Sequence, residues 1–350
     1  MTDNLNEFNK GELIIENKRD KRLDNALLTT YEGDTLLSCV YIEHNSLPEL
    51  SIDDVDTTTT FFGKQVPFPL MINAMTGGTE QGVEINEALY NISKELGIPM
   101  EVGAQDVLME DMDTAELFLG EIVEEVNRPT VLLSNLHANS SVADIKVAMD
   151  TINADGIALH LNPGQEIFTK DGISNFVGRY ESIEKAAKEY GDKLIVKEVG
   201  FGMSEEVIKK LVDVGVKNID VSGSGGTNFV EIENLRNFDY DFSELYEWGV
   251  PTAKSIINAR NISKDITIIA SGGIKTSLDI ARALILGADM VGISGEVLKY
   301  LIHGGYDYAK DYLQELMYKT KIVMLLLGCK NIEQLKKTPY KLTGKLKEII

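Results

Sequence analysis

The sequence is poor in cysteine, in positive charge and in long apolar runs, and each shortage closes off a class of function. Its two cysteines, Cys39 and Cys329, lie far apart and offer neither a metal-binding nor a redox spacing. Both are expected to be reduced and structural, as in a cytoplasmic protein. Lysine and arginine total 34 against 55 acidic residues, a formal net charge of -21. A surface of that sign repels nucleic acid and anionic membranes, so neither is expected as a partner. Any anionic ligand must instead be held by a local group of donors. The longest apolar run, around Ile322 to Leu327, is far too short to cross a bilayer. The opening stretch, MTDNLNEFNKGELIIENKRDKR, is polar and mixed in charge, unlike a signal peptide.

What is present is a regular repeat. The 350 residues, 43% of them hydrophobic, suffice for a sizeable core, and no low-complexity segment or linker divides them. Apolar strands are predicted at Phe68–Ala74, Ile98–Val102, Thr130–Ser134, Gly156–Leu161, Leu194–Val199, Asn218–Val221, Ile266–Ala270 and Met290–Ile293. Helix-period positions fall between them, at Val83–Leu96, Ile183–Tyr190, Ser204–Val214, Thr252–Ala259 and Ser277–Leu286. Ser204 with Glu205 and Glu206 signals a helix start, and Gly97 and Gly287 signal stops. Eight strands in alternation with helices predict an α/β protein, a closed (β/α)8 TIM barrel forming one domain. Residues 1–67 read as an N-terminal extension with an entry hairpin at Thr58–Pro67. Residues 68–300 read as the barrel, and 301–350 as a closure built on a long helix from Tyr306 to Leu327. Asn17 to Leu28 reads as a helix with a basic start, Lys18 to Arg22. That cluster is either a solvated face or a flap carrying cations to an anionic substrate.

In a barrel of this kind the active site lies where strands end and loops begin. The fourth strand stops being apolar abruptly, placing His160, Asn162, Gln165 and Glu166 within seven positions. The plain alternative is a helix start with Asn162 as cap, Pro163 in the first turn and Glu166 near the dipole. Glycines after the last strands, Gly272, Gly273 and Gly295, allow backbone N–H groups to approach a phosphate, with Thr227 and Ser294 as hydroxyl donors. Lys197 sits inside an apolar strand, where an unpaired ammonium is costly. It should face an electron-rich ligand, such as the pyrimidine end of a phosphate-anchored flavin, or pair with a neighbour such as Glu198. The turn Met75–Thr76–Gly77–Gly78 permits close approach to a flat ring, with Asn135 and Ser222 as further polar contacts.

These strand ends resemble the type 2, FMN-dependent isopentenyl diphosphate isomerases. The matching segments are NAMTGG (Asn73–Gly78), HLNPGQE (His160–Glu166), VKEVGFG (Val196–Gly202), VSGSGGTN (Val221–Asn228), SGGI (Ser271–Ile274) and GISG (Gly292–Gly295). HNSLPEL (His44–Leu50) matches ahead of the barrel, so the likeness spans nearly the whole chain. The resemblance implies interconversion of isopentenyl and dimethylallyl diphosphate for isoprenoid biosynthesis. It implies FMN kept reduced by NADPH or NADH, a required Mg²⁺, and a homo-oligomer, tetramer or octamer. Reduced flavin would act as an acid–base catalyst without net redox change. By position, Gln165 and His160 would be catalytic, and Glu166 would hold Mg²⁺. Lys18, Arg19, Arg22, Asn162 and Gln165 would bind substrate. Ala74, Met75, Thr76, Gly77, Ala104, Asn135, Lys197, Ser222, Thr227, Gly272, Gly273, Ile274, Ser294 and Gly295 would contact FMN.

The chain departs from that family at several points. Lys18–Arg19–Asp20–Lys21–Arg22 stands where the family has Arg-Lys-x-x-His, so Arg22 replaces a histidine; it can still hold a diphosphate oxygen. Ala104 replaces a serine and loses a hydroxyl contact, and Asp106 stands where many members carry an arginine. Gly164 replaces a larger residue and would loosen its loop. The nearest rival is an oxidoreductase of the α-hydroxy-acid oxidase type, which needs a His and an Arg after the sixth strand. That loop here has neither, and His137 after the third strand has no arginine near it in sequence. A non-catalytic phosphate- or flavin-binding barrel is the rival from a different class.

Overall fold

The computed structural model describes residues 25–76, 80–106, 128–169, 172–236 and 240–350. Lys18, Arg19, Arg22 and Gly77 lie outside the described residues, as does most of the basic helix expected from Asn17; residues 25–28 at its end are helical.

Eight parallel strands close into a barrel: β1 (Leu70–Ile72), β2 (Met100–Glu101), β3 (Leu132–His137), β4 (Gly156–His160), β5 (Leu194–Lys197), β6 (Asn218–Asp220), β7 (Thr267–Ala270) and β8 (Met290–Ile293). They follow one another around the barrel in chain order, and β8 closes on β1 through Val291↔Leu70 and Ile293↔Ile72. Each expected strand is present, but the third lies further along the chain than Thr130–Ser134. Polar Ser134, Asn135 and His137 do not end it, because partners within the protein satisfy them. Ser134 Oγ, for one, donates to the Ala148 carbonyl at 3.0 Å.

Around the barrel lie α1 (Glu80–Leu96), α2 (Val142–Thr151), α3 (Pro163–Phe168), α4 (Arg179–Tyr190), α5 (Glu205–Asp213), α6 (Phe229–Asn234), α7 (Thr252–Ile262), α8 (Ser277–Leu286) and α9 (Gly295–Leu326). Ser204 caps α5 by accepting from the Val207 N–H, and Gly287 ends α8 in the left-handed region at φ 115°. The expected closing helix begins earlier than Tyr306. It rises directly from β8 at Gly295 and breaks at Gly305, where φ is 80°. Helices α2 and α6 were not anticipated, and α3 only as the plain alternative of a helix starting at Pro163; α3 and α6 are only six residues long, too short for a periodic signal. The tail also holds a strand, Tyr340–Leu342, that pairs antiparallel with Val40–Ile42 of the extension.

The period of two along each strand organises the interior. Ile157, Leu159, Val196 and Ile219 face outward into the main core beneath the helices. Met71, Leu133, Ala158, Ile195, Ile269 and Met290 face inward. Phe61 and Val66, from a hairpin of Thr59–Phe61 and Lys64–Val66, join them and plug the barrel at its N-terminal end. The hairpin turns on Phe62 and Gly63, both at positive φ, as a two-residue turn of this hand requires. Two residues further along the inward face, the apolar layer gives way to Asn73, Asn135, His160 and Lys197, with Glu101 and Asp220 on the same parity. The polar layer is thus a direct consequence of strand parity.

Candidate active site

Above this layer, at the C-terminal ends of the strands, opens a cavity of about 660 Å³. Ala74, Met75 and Thr76 border it after β1, Ala104 and Asp106 after β2, and Asn135 and His137 on β3. From β4 come His160, Asn162, Gln165 and Glu166; from β5, Lys197, Val199 and Gly200. Ser222 and Thr227 after β6, Gly272, Gly273 and Ile274 after β7, and Ser294 and Gly295 after β8 complete the ring. Every site residue anticipated within the described chain therefore borders one cavity.

Its floor is an ion network. Lys197 Nζ lies 3.0 and 2.9 Å from the two carboxylate oxygens of Glu101 and 3.8 Å from Asp220. Burial works against the ammonium, but the carboxylates of Glu101 and Asp220 outweigh it and hold the Lys197 pKa above its ordinary value. The expected partner Glu198 points elsewhere: its Oε2 accepts the backbone N–H groups of Val199, Gly200 and Phe201 at 2.8, 3.2 and 2.8 Å. The carboxylates hold two asparagines in turn. Asn135 Nδ2 donates to Glu101 at 2.7 Å and Asn73 Nδ2 donates to Asp220 at 2.7 Å. Asp220 also accepts from Ser271 Oγ at 2.6 Å. Glu101 and Asp220 carried no sequence signal beyond lying on apolar strands, the same cue that singled out Lys197.

One wall is the loop after β4. His160 Nδ1 lies 2.9 Å from Asn135 Oδ1. Burial, with the charges of His137, Lys197 and Arg179, pushes its pKa down to about 3, so the imidazole is neutral. Asn162 does not cap α3; it sits at φ 47° and its Nδ2 donates to Gln165 Oε1 at 2.9 Å. Its own Oδ1 is buried without a partner among the described residues, an acceptor that asks for a ligand donor. Glu166 uses Oε2 to accept the Ile173 N–H at 3.1 Å. Gly164 tightens this loop: a Cβ there would meet the Phe201 ring at 2.3 Å. Nor is His137 without an arginine. Arg179 Nη2 lies 3.1 Å from its Nε2 and Nη1 donates to the Leu161 carbonyl, while His137 Nδ1 contacts Asn139 Oδ1. Arg179 comes from α4, forty-two residues away, so no spacing rule links it to His137.

The opposite wall is a cradle of glycine backbone. A Cβ on Gly226 would meet the Gly273 nitrogen at 2.4 Å, and one on Gly273 the Gly225 carbonyl at 2.2 Å. Gly272 and Gly273 have φ of 94° and 73°. Among the described residues, the N–H groups of Gly273 and Ser294 have no acceptor. Thr227 Oγ1 lies 3.2 Å from where a Cβ of Gly295 would stand, at the start of α9. N–H groups, two hydroxyls and a helix N-terminus form a donor set suited to a phosphate. The segment before the barrel forms a rim with Thr29, Thr30 and Tyr31. Glu231 of α6 holds that rim by accepting the Thr30 N–H at 2.9 Å and the Tyr31 N–H at 3.2 Å. Sequence reading did not single out this clamp.

A phosphate cradle at the last two strands of a (β/α)8 barrel, facing a buried lysine across one cavity, defines a flavin-type barrel. Consistently, residues 123–341 match the FMN-dependent dehydrogenase family. Among solved structures, the chain is similar to a mandelate oxidase carrying an FMN adduct, at a TM-score of 0.61 and 17% identity over 89% of this chain and 90% of that one. A flavocytochrome b2 with sulfite bound matches at 0.62 and 16%, over 89% and 78%. At such identities these show the fold alone. The isopentenyl-diphosphate delta-isomerase of Bacillus licheniformis is 40% identical over 93% of both chains. That of Listeria innocua is 35% identical over 96% of this chain and 94% of its own. The chain belongs to the isopentenyl-diphosphate delta-isomerase family in its FMN-dependent form, and is an isomerase.

Proposed function

We propose that this enzyme interconverts isopentenyl and dimethylallyl diphosphate with reduced FMN, NADPH or NADH as reductant, and Mg²⁺. The observation that carries this reading is the meeting, in one cavity, of the glycine cradle, Lys197 and the loop His160–Glu166. The cradle fits an FMN phosphate because Gly226, Gly272 and Gly273 pack backbone against backbone, where a Cβ would collide with the neighbouring loop, and the Gly273 and Ser294 N–H groups beside the cavity have no acceptor among the described residues. Bound and reduced, the flavin supplies an acid–base group at the allylic carbons without net redox change.

The protein's own residues supply the rest. Gly273, Ser294 and Thr227 hold the cofactor phosphate, and Lys197, kept charged by Glu101 and Asp220, stabilises negative charge near the ring. Gln165 and Asn162 lie together 2.9 Å apart and orient the substrate beside it. Glu166 fits Mg²⁺ as a single hard ligand. No group of three metal-ligating side chains occurs among the described residues, so substrate diphosphate and water would complete the shell. Lys18, Arg19 and Arg22 are the proposed cations for the diphosphate, and assembly into a homo-oligomer is part of the same proposal.

The oxidase alternative needs a His–Arg pair free to take a carboxylate. The loop from Ser222 to Asn228 contains neither residue, and His137 and Arg179 are spent on each other and on Leu161.

The test is turnover of isopentenyl diphosphate in D₂O by the FMN-reduced protein with Mg²⁺. The reading predicts dimethylallyl diphosphate carrying solvent deuterium, with no NADPH consumed beyond the initial reduction. Stoichiometric NADPH consumption per turnover, or product without deuterium, contradicts it.

A further inference from the structure

We propose that Glu101 is a positioning residue that fixes His160, through Asn135, as the tautomer protonated on Nδ1. His160 thereby presents Nε2 to the cavity as a hydrogen-bond acceptor.

The argument is one of donors and acceptors taken in order. Glu101 is surrounded by donors: Lys197 Nζ reaches both its oxygens, Asn135 Nδ2 reaches Oε1 at 2.7 Å, and the Ala74 backbone N–H also donates to it. Burial raises the Glu101 pKa, but the Lys197 ammonium on both its oxygens opposes that shift and, as the partner of a buried cation, the carboxylate is ionised and can only accept. The Asn135 amide must therefore turn its nitrogen to Glu101, since the flipped amide would press two acceptor oxygens together at 2.7 Å. Its Oδ1 then faces His160 Nδ1 at 2.9 Å, and Nδ1 must carry the proton. The ring is buried, edge-on to the His137 ring at 5.1 Å, with the cations Lys197 and Arg179 nearby. A second proton is disfavoured in that setting, so Nε2 keeps a lone pair. Among the described residues nothing donates to it.

The consequence is a rule for what His160 can touch. It cannot donate to an anionic oxygen of a diphosphate. It can accept from an N–H or O–H group of whatever lies over it in the cavity. Glu101 is thus linked to the chemistry although it does not border the cavity, and its position beside Lys197 ties the cation and the histidine to one carboxylate. The tautomer rests on geometry alone; only its use in turnover rests on the function proposed above.

The test is ¹⁵N NMR of histidine-labelled, FMN-loaded protein. The chain has 4 histidines, and His160→Gln assigns the signal by loss. The expected result at neutral pH is an Nδ1-protonated, Nε2-unprotonated His160. In Glu101→Met, which removes both acceptor oxygens, His160 shifts toward the Nε2-protonated form. If that variant does not fold, Asn135→Leu breaks the same relay one step later and must give the same shift. An Nε2-protonated or doubly protonated His160 in the unaltered protein overturns the proposal, as does an unchanged tautomer in a folded variant. Failure of the isomerase reading would show as absent product with the tautomer result unaffected.

Discussion

His160 and Glu166 stand six residues apart in sequence, yet their environments set opposite roles. His160 is buried and neutral, its pKa held near 3 by burial and by neighbouring positive groups. Its folded pKa lies below the unfolded value of 6.5, so the unfolded chain binds a proton that the native state refuses as pH falls. This group therefore costs nothing above pH 6.5 and drains stability below it, by up to about 1.4 kcal/mol per pH unit. Urea unfolding between neutral pH and pH 5 should show a shallower acid decline in His160→Gln than in the parent; parallel declines would mean that the histidine is charged when folded. Glu166, partly buried and with no partner for its second oxygen among the described residues, suits a metal. Glu166→Gln should abolish Mg²⁺-dependent turnover and leave FMN affinity unchanged. Loss of flavin instead would place Glu166 at the cofactor.

At the scale of the element, the strand ends decide what was legible. Polar residues at the close of an apolar run mark a barrel's active face, and in this way the loop after β4, Lys197 and the late glycines were readable from sequence. Glu101, Asp220 and Arg179 were not, because their partners come from other strands or helices; Glu101 and Lys197 are separated by 96 positions. The boundary of β3 was missed for a related reason: polar Ser134 and Asn135 look like an ending until their buried partners are known. The same scale explains Gly164, where one sequence cannot show that Phe201 fills the space a side chain would need. The glycine cradle makes a prediction of its own. Gly273→Ala puts a Cβ 2.2 Å from the Gly225 carbonyl at a φ of 73°. Strain of about 1–2 kcal/mol per residue in this region should distort the loop and weaken FMN binding roughly tenfold or more by fluorescence titration. An unchanged dissociation constant in a folded variant would remove the loop from the phosphate site.

For the whole molecule, the excess of acid shapes how an anionic substrate must be caught. Of the lysines bordering the cavity, Lys197 is paired to Glu101, and Lys275 and Lys299 lie 3.6 and 3.7 Å from Glu296. Among the described residues, backbone N–H groups are then the donors left to an anion, and the segment from Lys18 to Arg22 is the proposed further source of positive charge against a net charge of -21. If the overall field governs approach, kcat/KM should rise as salt increases from about 10 mM to about 150 mM, over which the Debye length shrinks from roughly 30 to 8 Å. A fall would mean that the basic segment dominates at the mouth. The (β/α)8 architecture was legible because its period repeats eight times, and an error at one strand end leaves the other seven intact. The central claim is that this barrel uses a reduced flavin to move a proton on an allylic diphosphate. It is tested most directly by giving isopentenyl diphosphate and Mg²⁺ anaerobically to the protein in its apo, oxidised-FMN and reduced-FMN forms. The account predicts dimethylallyl diphosphate from the reduced form alone, with the flavin still reduced at the end. Equal product from the apo or oxidised protein, or none from a reduced and fully loaded one, would contradict it.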